Sequence, residues 1–365
     1  MILHLLFDSQ FSDYVIEQFS SENMFSDFVL ISETNQMKYS KKLGLVPIVN
    51  PNVESEKNQL IIDIEKYNAV IFHGLFYLWQ EWLLDRWPNK VKKAWVCWGG
   101  EIYGQHDIKS SFLKPLSKIV FNIHRLKKAK DREYIFPKQS IKIIDYCITN
   151  LQPEYDYVKK YLNTDIKFIP YNYYSIDDTL GELKNSKCKG PNIFVGNSAT
   201  IENNFLEILL KLKSVGTDDR QIILPLSYGE PWVRNICLKL GKYLFKNNFN
   251  PLLTFIPRED YNAKMLDCSV MIQAHLREQA HGNILTGLWL GMRVYLSKNS
   301  IAYKHFKGID CKVFSIEDDL IPNNANAFSP LYEEEIMHNR RMLIEFYGKE
   351  AVIKNASELV NILNN

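Results

Sequence analysis

The chain has 365 residues, of which 46% are hydrophobic, and a formal net charge of +2 at neutral pH. This length and composition are typical of a globular protein with two domains. A charge so close to zero excludes a partner such as nucleic acid that would be bound through the overall charge, so any basic surface must be local. The six cysteines have no CxxC or CxxxC spacing and are typical of reduced, mostly buried thiols in a cytosolic protein.

The N-terminal residues MILHLLFDSQ predict a first strand. They contain no basic region and no cleavage site of the kind that marks a secretory signal peptide. No run of about 18 apolar residues occurs anywhere in the chain, so no membrane-spanning helix is predicted.

The first half of the chain alternates between predicted strands and helices, which indicates a mostly parallel sheet. Strands are predicted at residues 2–7, 28–31, 69–73, 93–98 and 145–149, with an extended segment at 46–49 and helices at 14–19, 36–43, 77–87 and 153–162. Polar side chains follow three of these strands: Asp8, His73 and Glu101. Each stands where a general base could meet an acceptor hydroxyl.

Glu101 is the preferred candidate for the base, because Gly99 and Gly100 before it permit a close approach of the backbone. The alternative is that Glu101 caps the segment that follows or orients His106. His73 is equally compatible with a structural hydrogen bond, and Asp8 is a second candidate for the base.

A concentrated basic segment follows, with a helix predicted at residues 108–133 in which apolar and basic residues are interleaved. Such a segment favours contact with an anionic membrane surface, although a solvated basic face would have the same pattern. The side chains expected to face the membrane are Lys114, Lys118, Arg125, Lys127 and Lys128.

The alternation restarts after a polar stretch. Strands are predicted at residues 192–195, 222–226, 252–256, 269–273, 294–296 and 312–314, and helices at 202–212, 231–244, 258–266, 284–290, 300–306, 333–346 and 352–363. The simplest architecture is two facing doubly wound α/β domains with a cleft between them. The predicted boundaries are 1–170 for the N-terminal domain, 171–191 for a linker, 192–345 for the C-terminal domain and 346–365 for a helix that packs back towards the N-terminal domain.

The segment from residue 269 to 296 forms a predicted strand, polar loop, helix and strand. A helix that begins at Gly282 and Asn283 directs unpaired N–H groups and a positive dipole end at the loop, which suits a phosphate. Arg277 could bind two phosphate oxygens at once, or form a salt bridge with Glu278 instead. An ordinary crossover with a polar loop is the alternative for the whole segment.

Further candidates for ligand binding lie in the same loop and in the loops after two other strands, which should converge at one edge of the sheet. They are Gly196, Asn197, Ser198, Tyr228 and Gln279. Each is compatible with holding a sugar or a base, and equally with stabilising a turn. The motifs GxGxxG, GxxxxGK[ST], GxSxG and HExxH are missing, so no cofactor and no metal site are predicted.

Five segments resemble, in order, the bacterial 4-acetamido-4,6-dideoxygalactose (Fuc4NAc) transferases of glycosyltransferase family 56. The segments are FHGLF at residues 72–76, WVCWGGEIY at 95–103, FVGNSATIENN at 194–204, LPLSYG at 224–229 and REQAHGNILTGLWLGMRVYLSKNS at 277–300. One departure is that the Gly-Ala-Asp usual in the family after the tryptophan is Gly99-Gly100-Glu101 here.

This resemblance implies a GT-B fold and an enzyme that transfers a deoxyamino sugar from a nucleotide donor, expected to be a dTDP-sugar, bound mainly by the second domain. The implied acceptor is a polyprenyl-pyrophosphate-linked saccharide of bacterial surface polysaccharide synthesis. The implied location is peripheral, at the cytoplasmic face of the inner membrane. In the mechanism expected here, Arg277 and the helix start at Gly282 stabilise the leaving pyrophosphate without a metal, and a carboxylate of the first domain takes the acceptor proton.

Two other classes of protein stay open on the sequence. One is a non-catalytic two-domain ligand-binding protein, and the other is a nucleotide-sugar epimerase or hydrolase with the same two-domain plan.

Overall fold

A computed structural model describes residues 1–21, 24–34, 37–41, 46–127 and 140–365. These residues form two compact units, each built on its own parallel sheet. The first unit comprises the described residues within Met1–Gln105, Tyr134–Ser175 and Tyr347–Asn365, and the second comprises those within His106–Glu133 and Ile176–Phe346.

The described strands are numbered in chain order: β1 Ile2–Leu6, β2 Ser26–Ile31, β3 Ile48–Val49, β4 Ala69–His73, β5 Lys92–Val96, β6 Tyr146–Thr149, β7 Lys167–Pro170, β8 Asn192–Val195, β9 Ile222–Pro225, β10 Phe249–Leu252, β11 Cys268–Gln273, β12 Arg293–Leu296 and β13 Phe314–Ser315. The described α-helices are α1 Ser12–Phe19, α2 Glu54–Asp63, α3 Leu78–Leu84, α4 Gly100–Tyr103, α5 His106–Ser111, α6 Pro115–Lys127, α7 Gln152–Leu162, α8 Ile176–Leu180, α9 Phe205–Val215, α10 Pro231–Phe245, α11 Arg258–Leu266, α12 His281–Leu290, α13 Ile301–Gly308, α14 Glu333–Tyr347 and α15 Lys349–Asn364.

The sheet of the first unit has the strand order β3-β2-β1-β4-β5-β6-β7, and every neighbouring pair is parallel. The strand order reverses between β1 and β4, which is the point where ligands of such sheets bind at the carboxyl ends of the strands. The helix α15 packs on this unit and contributes Ala356, Leu359 and Leu363 to the same buried cluster as Ile2 and Ile71. The C-terminal helix therefore completes the core of the first unit.

The sheet of the second unit has the order β10-β9-β8-β11-β12-β13, again with parallel neighbours throughout. Its central strands are buried on both faces and are made almost wholly of apolar residues, as expected for a parallel sheet covered by helices. Here the strand order reverses between β8 and β11. The predicted architecture of two doubly wound parallel-sheet domains is confirmed by these two sheets.

The segment that carries α5 and α6 belongs to the second unit, whereas the predicted boundary at residue 170 placed it in the first domain. The side chain of Phe121 joins the second unit's core, and Ser117 donates from both its N–H and its hydroxyl to the carboxylate of Glu207, at 2.9 and 2.6 Å. The N–H of Lys114 donates to Asn204 Oδ1 at 2.8 Å. These contacts join residues about 90 positions apart, so no local pattern could predict them.

Several predicted elements differ from the structure. The single helix expected at residues 108–133 is divided into α5 and α6, with Pro115 in the first turn of α6, and its part beyond residue 127 lies outside the described residues. The strand expected at 252–256 is β10, which ends at Leu252. The described part of the helix expected at 36–43, residues 37–41, is not helical. The predictions missed α2 and β7, because each has one buried apolar residue, Leu60 and Ile169. They also missed α8, which lies in the segment 171–191 that was predicted to be a linker and is too short for a helical period to be recognised.

Candidate functional site

The candidate site of the second unit lies where the strand order of its sheet reverses. β8 ends at Val195 and its neighbour β11 ends at Gln273, so the loops that follow them share one edge of the sheet. The amide Nε2 of Gln273, which is fully buried, donates to the carbonyl oxygen of Gly196 at 3.1 Å and joins the two loops. Such an edge is the usual ligand site of a doubly wound sheet.

Glycine is required at Gly196 for two reasons. Its φ of +66° is in the region that disfavours residues with a side chain, and a Cβ here would lie 2.5 Å from the ring of Phe205. The loop after β9 joins the same edge through a parallel bridge between Ala199 and Gly229. Two of the three loops predicted to converge are therefore in contact.

Gln279 connects the loop before α12 with the loop after β8. Its Nε2 lies 2.8 Å from Asn197 Oδ1, 3.4 Å from Ser198 Oγ and 3.2 Å from Thr200 Oγ1. Its Oε1 is buried and accepts no hydrogen bond within the described part of the chain. The predicted residues Asn197, Ser198 and Gln279 are thus neighbours, and Gln279 sets the distance between their loops.

Tyr228 and Asn283 lie at the rim of this cluster. The exposed Tyr228 accepts a hydrogen bond from Asn197 Nδ2 at 3.4 Å, and Asn283 Nδ2 donates to the hydroxyl of Tyr261 at 2.9 Å. Burial raises the pKa of Tyr261, so its phenol stays protonated and holds the Asn283 side chain at the first turn of α12.

Helix α12 begins at His281, one residue before the predicted start. Its N-cap, Ala280, has a φ of +57° and no side chain caps the helix, so the positive end of the dipole and the first-turn N–H groups are directed towards the loop. Burial lowers the pKa of His281 to about 3, and burial lowers that of His275 to about 4. Both imidazoles are neutral at pH 7 and add no positive charge to the site.

Arg277 is paired with a residue that the sequence analysis did not identify. Its Nε lies 3.6 Å from Glu202 Oε1, and its Nη1 donates to the backbone oxygen of Glu278 at 2.8 Å. Burial raises the pKa of the Glu278 carboxyl, and the nearby charge of Arg277 acts in the opposite direction. Lys109 Nζ lies 3.5 Å from Glu202 Oε2 and 3.4 Å from Glu230 Oε1. No signal in the sequence could have found this pairing, because Lys109 and Glu202 belong to different halves of the chain.

The first unit holds the other three predicted residues. Both oxygens of Asp8 accept from backbone N–H groups of residues 38, 39 and 40, at distances from 2.6 to 3.3 Å. Asp13 binds the same segment through the N–H of Lys41 and the hydroxyl of Ser40. This geometry makes Asp8 an anchor of the loop after β2 and leaves no oxygen of its carboxylate without a backbone donor.

Glu101 is turned into the protein and is 1% exposed. Its Oε1 accepts from the indole N–H of Trp95 at 3.0 Å and from the backbone N–H of Trp98 at 3.1 Å, while Oε2 is buried. Burial raises the pKa of Glu101 to about 7, against the opposing effect of these hydrogen bonds. Glu101 thus holds the turn after β5 in place.

His73 is also buried. Its Nε2 lies 3.1 Å from Nδ1 of His4, and its Nδ1 lies 3.0 Å from the hydroxyl of Tyr173, which also accepts from Trp98 Nε1 at 2.7 Å. The structure therefore places His73 in the middle of a chain of four hydrogen-bonded side chains. His4, Trp98 and Tyr173 were not predicted, since His4 and Tyr173 carry no motif.

The described helices include none that is long and apolar enough to cross a membrane. Within the same residues, no group of three or more His, Cys, Asp or Glu side chains could hold a metal ion.

No protein-family model matches the sequence, and no curated protein matches it either. Solved structures match over the whole chain. A glycosyltransferase from Rickettsia africae superposes with a TM-score of 0.65 at 13% identity, covering 99% of this chain and 98% of that one. The apo form of the lipopolysaccharide outer core galactosyltransferase WaaB superposes with a TM-score of 0.63 at 10% identity and covers 99% of both chains.

A trehalose-phosphate synthase from Burkholderia xenovorans has a TM-score of 0.56 at 9% identity, over 85% of this chain and 76% of that one. At these identities the likeness shows the fold. The chain has the two Rossmann-like parallel-sheet domains of the GT-B glycosyltransferases.

Proposed function

We propose that this protein is a glycosyltransferase whose second unit binds the nucleotide diphosphate of a sugar donor. The observation that supports this most strongly is the convergence at the β8 and β11 edge: the uncapped start of α12, the cation of Arg277 and the polar cluster around Gln279. A helix N-terminus and a guanidinium both favour a pyrophosphate, and amide and hydroxyl groups beside them suit a ribose or a sugar.

The chemistry that these groups supply is stabilisation of the leaving group. When the bond between the sugar and the diphosphate breaks, negative charge grows on the diphosphate oxygens. The dipole of α12 and the fixed charge of Arg277 stabilise that charge without any reorganisation. We propose that they do so without a metal ion.

The donor and the acceptor are proposed from the resemblance to family 56. The donor is a deoxyamino sugar such as Fuc4NAc on a nucleotide diphosphate, with dTDP as the first nucleotide to test. The acceptor is a saccharide linked to polyprenyl pyrophosphate, and the product enters bacterial surface polysaccharide.

A peripheral location at the cytoplasmic face of the inner membrane is proposed from one face of α6. Four apolar side chains there are exposed by 43, 55, 50 and 87%: Leu116, Ile119, Ile123 and Leu126. Their spacing of three, four and three residues puts them on one stripe of the helix, beside the exposed Lys118 and Arg125. An apolar stripe flanked by basic residues suits a helix that lies in an anionic membrane surface.

Not all of the basic residues predicted to face the membrane support this proposal. Lys114 Nζ forms an ion pair with Glu317 at 2.6 Å and so faces its own unit. The side chain of Lys127 and the whole of Lys128 lie outside the described residues. The membrane proposal therefore depends on the apolar stripe, with Lys118 and Arg125 at its sides.

Vesicle binding tests the location. The double variant Ile119→Ser/Ile123→Ser should lose cosedimentation with phosphatidylglycerol vesicles, while Ile353→Ser, which changes an equally exposed side chain on α15, should not. Equal binding of both variants would contradict the role of α6.

Calorimetric titration with dTDP, UDP and GDP, with and without divalent metal, tests the function. We expect one nucleotide to bind tightly without metal, and the matching sugar nucleotide to be consumed when a polyprenyl-pyrophosphate-linked saccharide is added. If none of the three nucleotides binds, the proposed function is wrong and the ligand-binding alternative takes its place.

A further inference from the structure

The chain of hydrogen bonds from His4 to Trp98 begins in the middle of β1 and ends beyond the carboxyl end of β5, close to the point where the strand order of the first sheet reverses. In the parallel register of β1 and β4, His4 is opposite Ile71, so His73, two residues further on, has its side chain on the same face. His4 is fully buried, with Phe19 and Phe28 at ring distances of 4.6 and 5.2 Å. Trp98 and Tyr173, at the other end, are both half-buried.

Both imidazoles are neutral, so each carries one N–H and one bare nitrogen. Burial lowers the pKa of His4 to about 3, and burial together with the neighbouring His4 lowers that of His73 well below its ordinary value. The indole of Trp98 can only donate. The hydrogen bonds between these four side chains can therefore run in two directions. Each direction fixes which nitrogen of His4 and of His73 carries the hydrogen and whether the Tyr173 hydroxyl donates to His73.

In the first direction the Tyr173 hydroxyl donates to His73 Nδ1, His73 Nε2 donates to His4 Nδ1, and His4 carries a hydrogen on Nε2. In the second direction His4 Nδ1 donates to His73 Nε2 and His73 Nδ1 donates to the Tyr173 oxygen. The atom that decides is His4 Nε2, which is buried and has no partner within the described part of the chain. The first direction leaves a hydrogen without an acceptor on the fully buried His4, whereas the second leaves it on the half-buried Tyr173. A buried donor without an acceptor is costly, so the second direction is favoured.

The second direction has a consequence for Tyr173. Its oxygen accepts two hydrogen bonds, from Trp98 Nε1 and His73 Nδ1, and the phenolic hydrogen is left without an acceptor among the described residues. The main chain at residue 173 is held as well, because Gln18 Nε2 donates to its carbonyl oxygen at 2.5 Å. The hydroxyl is therefore a rigid hydrogen-bond donor at the carboxyl edge of the first sheet.

Half-buried aromatic rings surround this donor. The ring of Phe11 is stacked on Tyr173 at 5.1 Å and on Tyr174 at 6.0 Å, and its centroid is 5.7 Å from that of Trp98. Phe76 touches Trp98 at 5.9 Å. A concave or flat patch of aromatic rings with a few fixed polar groups is the usual lining of a small-ligand site, and sugar rings combine apolar faces with hydroxyl oxygens in the way that such a patch requires.

We propose that Tyr173 donates a hydrogen bond to a hydroxyl oxygen of a saccharide bound on these rings, and that His4 and His73 are positioning residues that keep its hydrogen directed at the ligand. This rests on the proposed function and names the first-unit group that reads the acceptor sugar. It gives His73 a role through Tyr173 and no direct contact with the acceptor.

The direction of the hydrogen bonds is measured without any substrate. Long-range ¹H–¹⁵N correlation spectra of the full chain with ¹⁵N-labelled histidine should show both His4 and His73 with the hydrogen on Nδ1 at pH 7. The signals are assigned by their absence from His4→Asn and His73→Asn or, if either fails to fold, by the shift that Tyr173→Phe causes at His73. A hydrogen on Nε2 of either residue overturns the proposal.

The ligand is tested with methyl glycosides of glucose, galactose and N-acetylglucosamine, by saturation-transfer NMR in the presence of the nucleotide that binds. Tyr173→Phe should weaken glycoside binding about tenfold, the usual effect of one lost hydrogen bond. Tyr171→Phe is the matched control, because it removes a buried hydroxyl that has no hydrogen-bond partner within the described residues, and it should change the affinity less than about twofold.

Equal affinities of the two variants, or no binding of any glycoside to the wild type, would overturn the proposal. Calorimetry with the nucleotide on the same samples separates the two hypotheses. A protein that binds the nucleotide and shows no effect at Tyr173 keeps the transferase function and loses only this inference.

Discussion

Replacing Glu101 by glutamine should change how the stability of the first unit depends on pH. Burial raises the pKa of this carboxyl from 4.5 to about 7 in the folded protein. Between these two values the folded state binds a proton that the unfolded state has lost, so the free energy of unfolding falls as the pH rises from 4.5 through 7. At about 1.4 kcal/mol for each pH unit, the loss amounts to about 3 kcal/mol at pH 8.

The glutamine side chain of the variant has no proton to lose, yet its amide oxygen can still accept from the indole of Trp95 and from the N–H of Trp98. The variant and the wild type should therefore be about equally stable at pH 4.5, and Glu101→Gln should be more stable by about 3 kcal/mol at pH 8. Urea unfolding followed by tryptophan fluorescence measures this difference, since five of the seven tryptophans lie in the first unit.

The control is Glu350→Gln, which changes an exposed carboxylate of α15 in the same unit and should leave the pH dependence unaltered. Parallel stability curves of Glu101→Gln and the wild type would refute the reasoning, because they would mean that the buried carboxyl is ionised at no cost. The same variant tests the catalytic hypothesis: full transferase activity over the pH range would exclude Glu101 as the base.

Three further changes have expected outcomes. Gln80→Ala should lower the free energy of unfolding, measured by urea unfolding, by about 3 kcal/mol, because this buried side chain makes three hydrogen bonds to the backbone of Gly74, Phe76 and Tyr77. The control Gln10→Ala changes an exposed side chain and should leave the stability unaltered, so equal effects of the two variants would contradict the prediction. Gly241→Ala should lower the free energy of unfolding by about 1–3 kcal/mol in the same measurement, because the added Cβ would lie 2.3 Å from the ring of Phe249. The control is Gly308→Ala, whose Cβ would have no atom within 4 Å and should not lower the stability. If the stability of Gly241→Ala equals that of the wild type, the ring of Phe249 moves aside freely and the prediction is wrong. Arg277→Ala should weaken calorimetric binding of the nucleotide diphosphate at least about tenfold, and the exposed Arg341→Ala should not; similar affinities would remove Arg277 from the site.

Much of the fold could be predicted from the sequence, because its signals are local. Buried parallel strands such as β4 and β11 are short apolar runs that end in Gly or polar residues. In the helices between them, the apolar residues are spaced three and four positions apart. The sequence also predicted that the loops with Asn197, Tyr228 and Gln279 meet, since all of them follow strands of one parallel sheet.

The tertiary structure decided which side chains in these loops are partners. The sequence offered Glu278 as an ionic partner of Arg277, but it gave no sign of Glu202, whose carboxylate lies near both Arg277 and Lys109, a residue far away in the chain. Asp8 and Glu101 have the residue types of a base, but their environment of backbone donors and burial is formed only by folding. Residue type and strand position therefore determined where the candidate site lies, whereas the contacts between distant segments determined the charge, the pKa and the partners of each group in it.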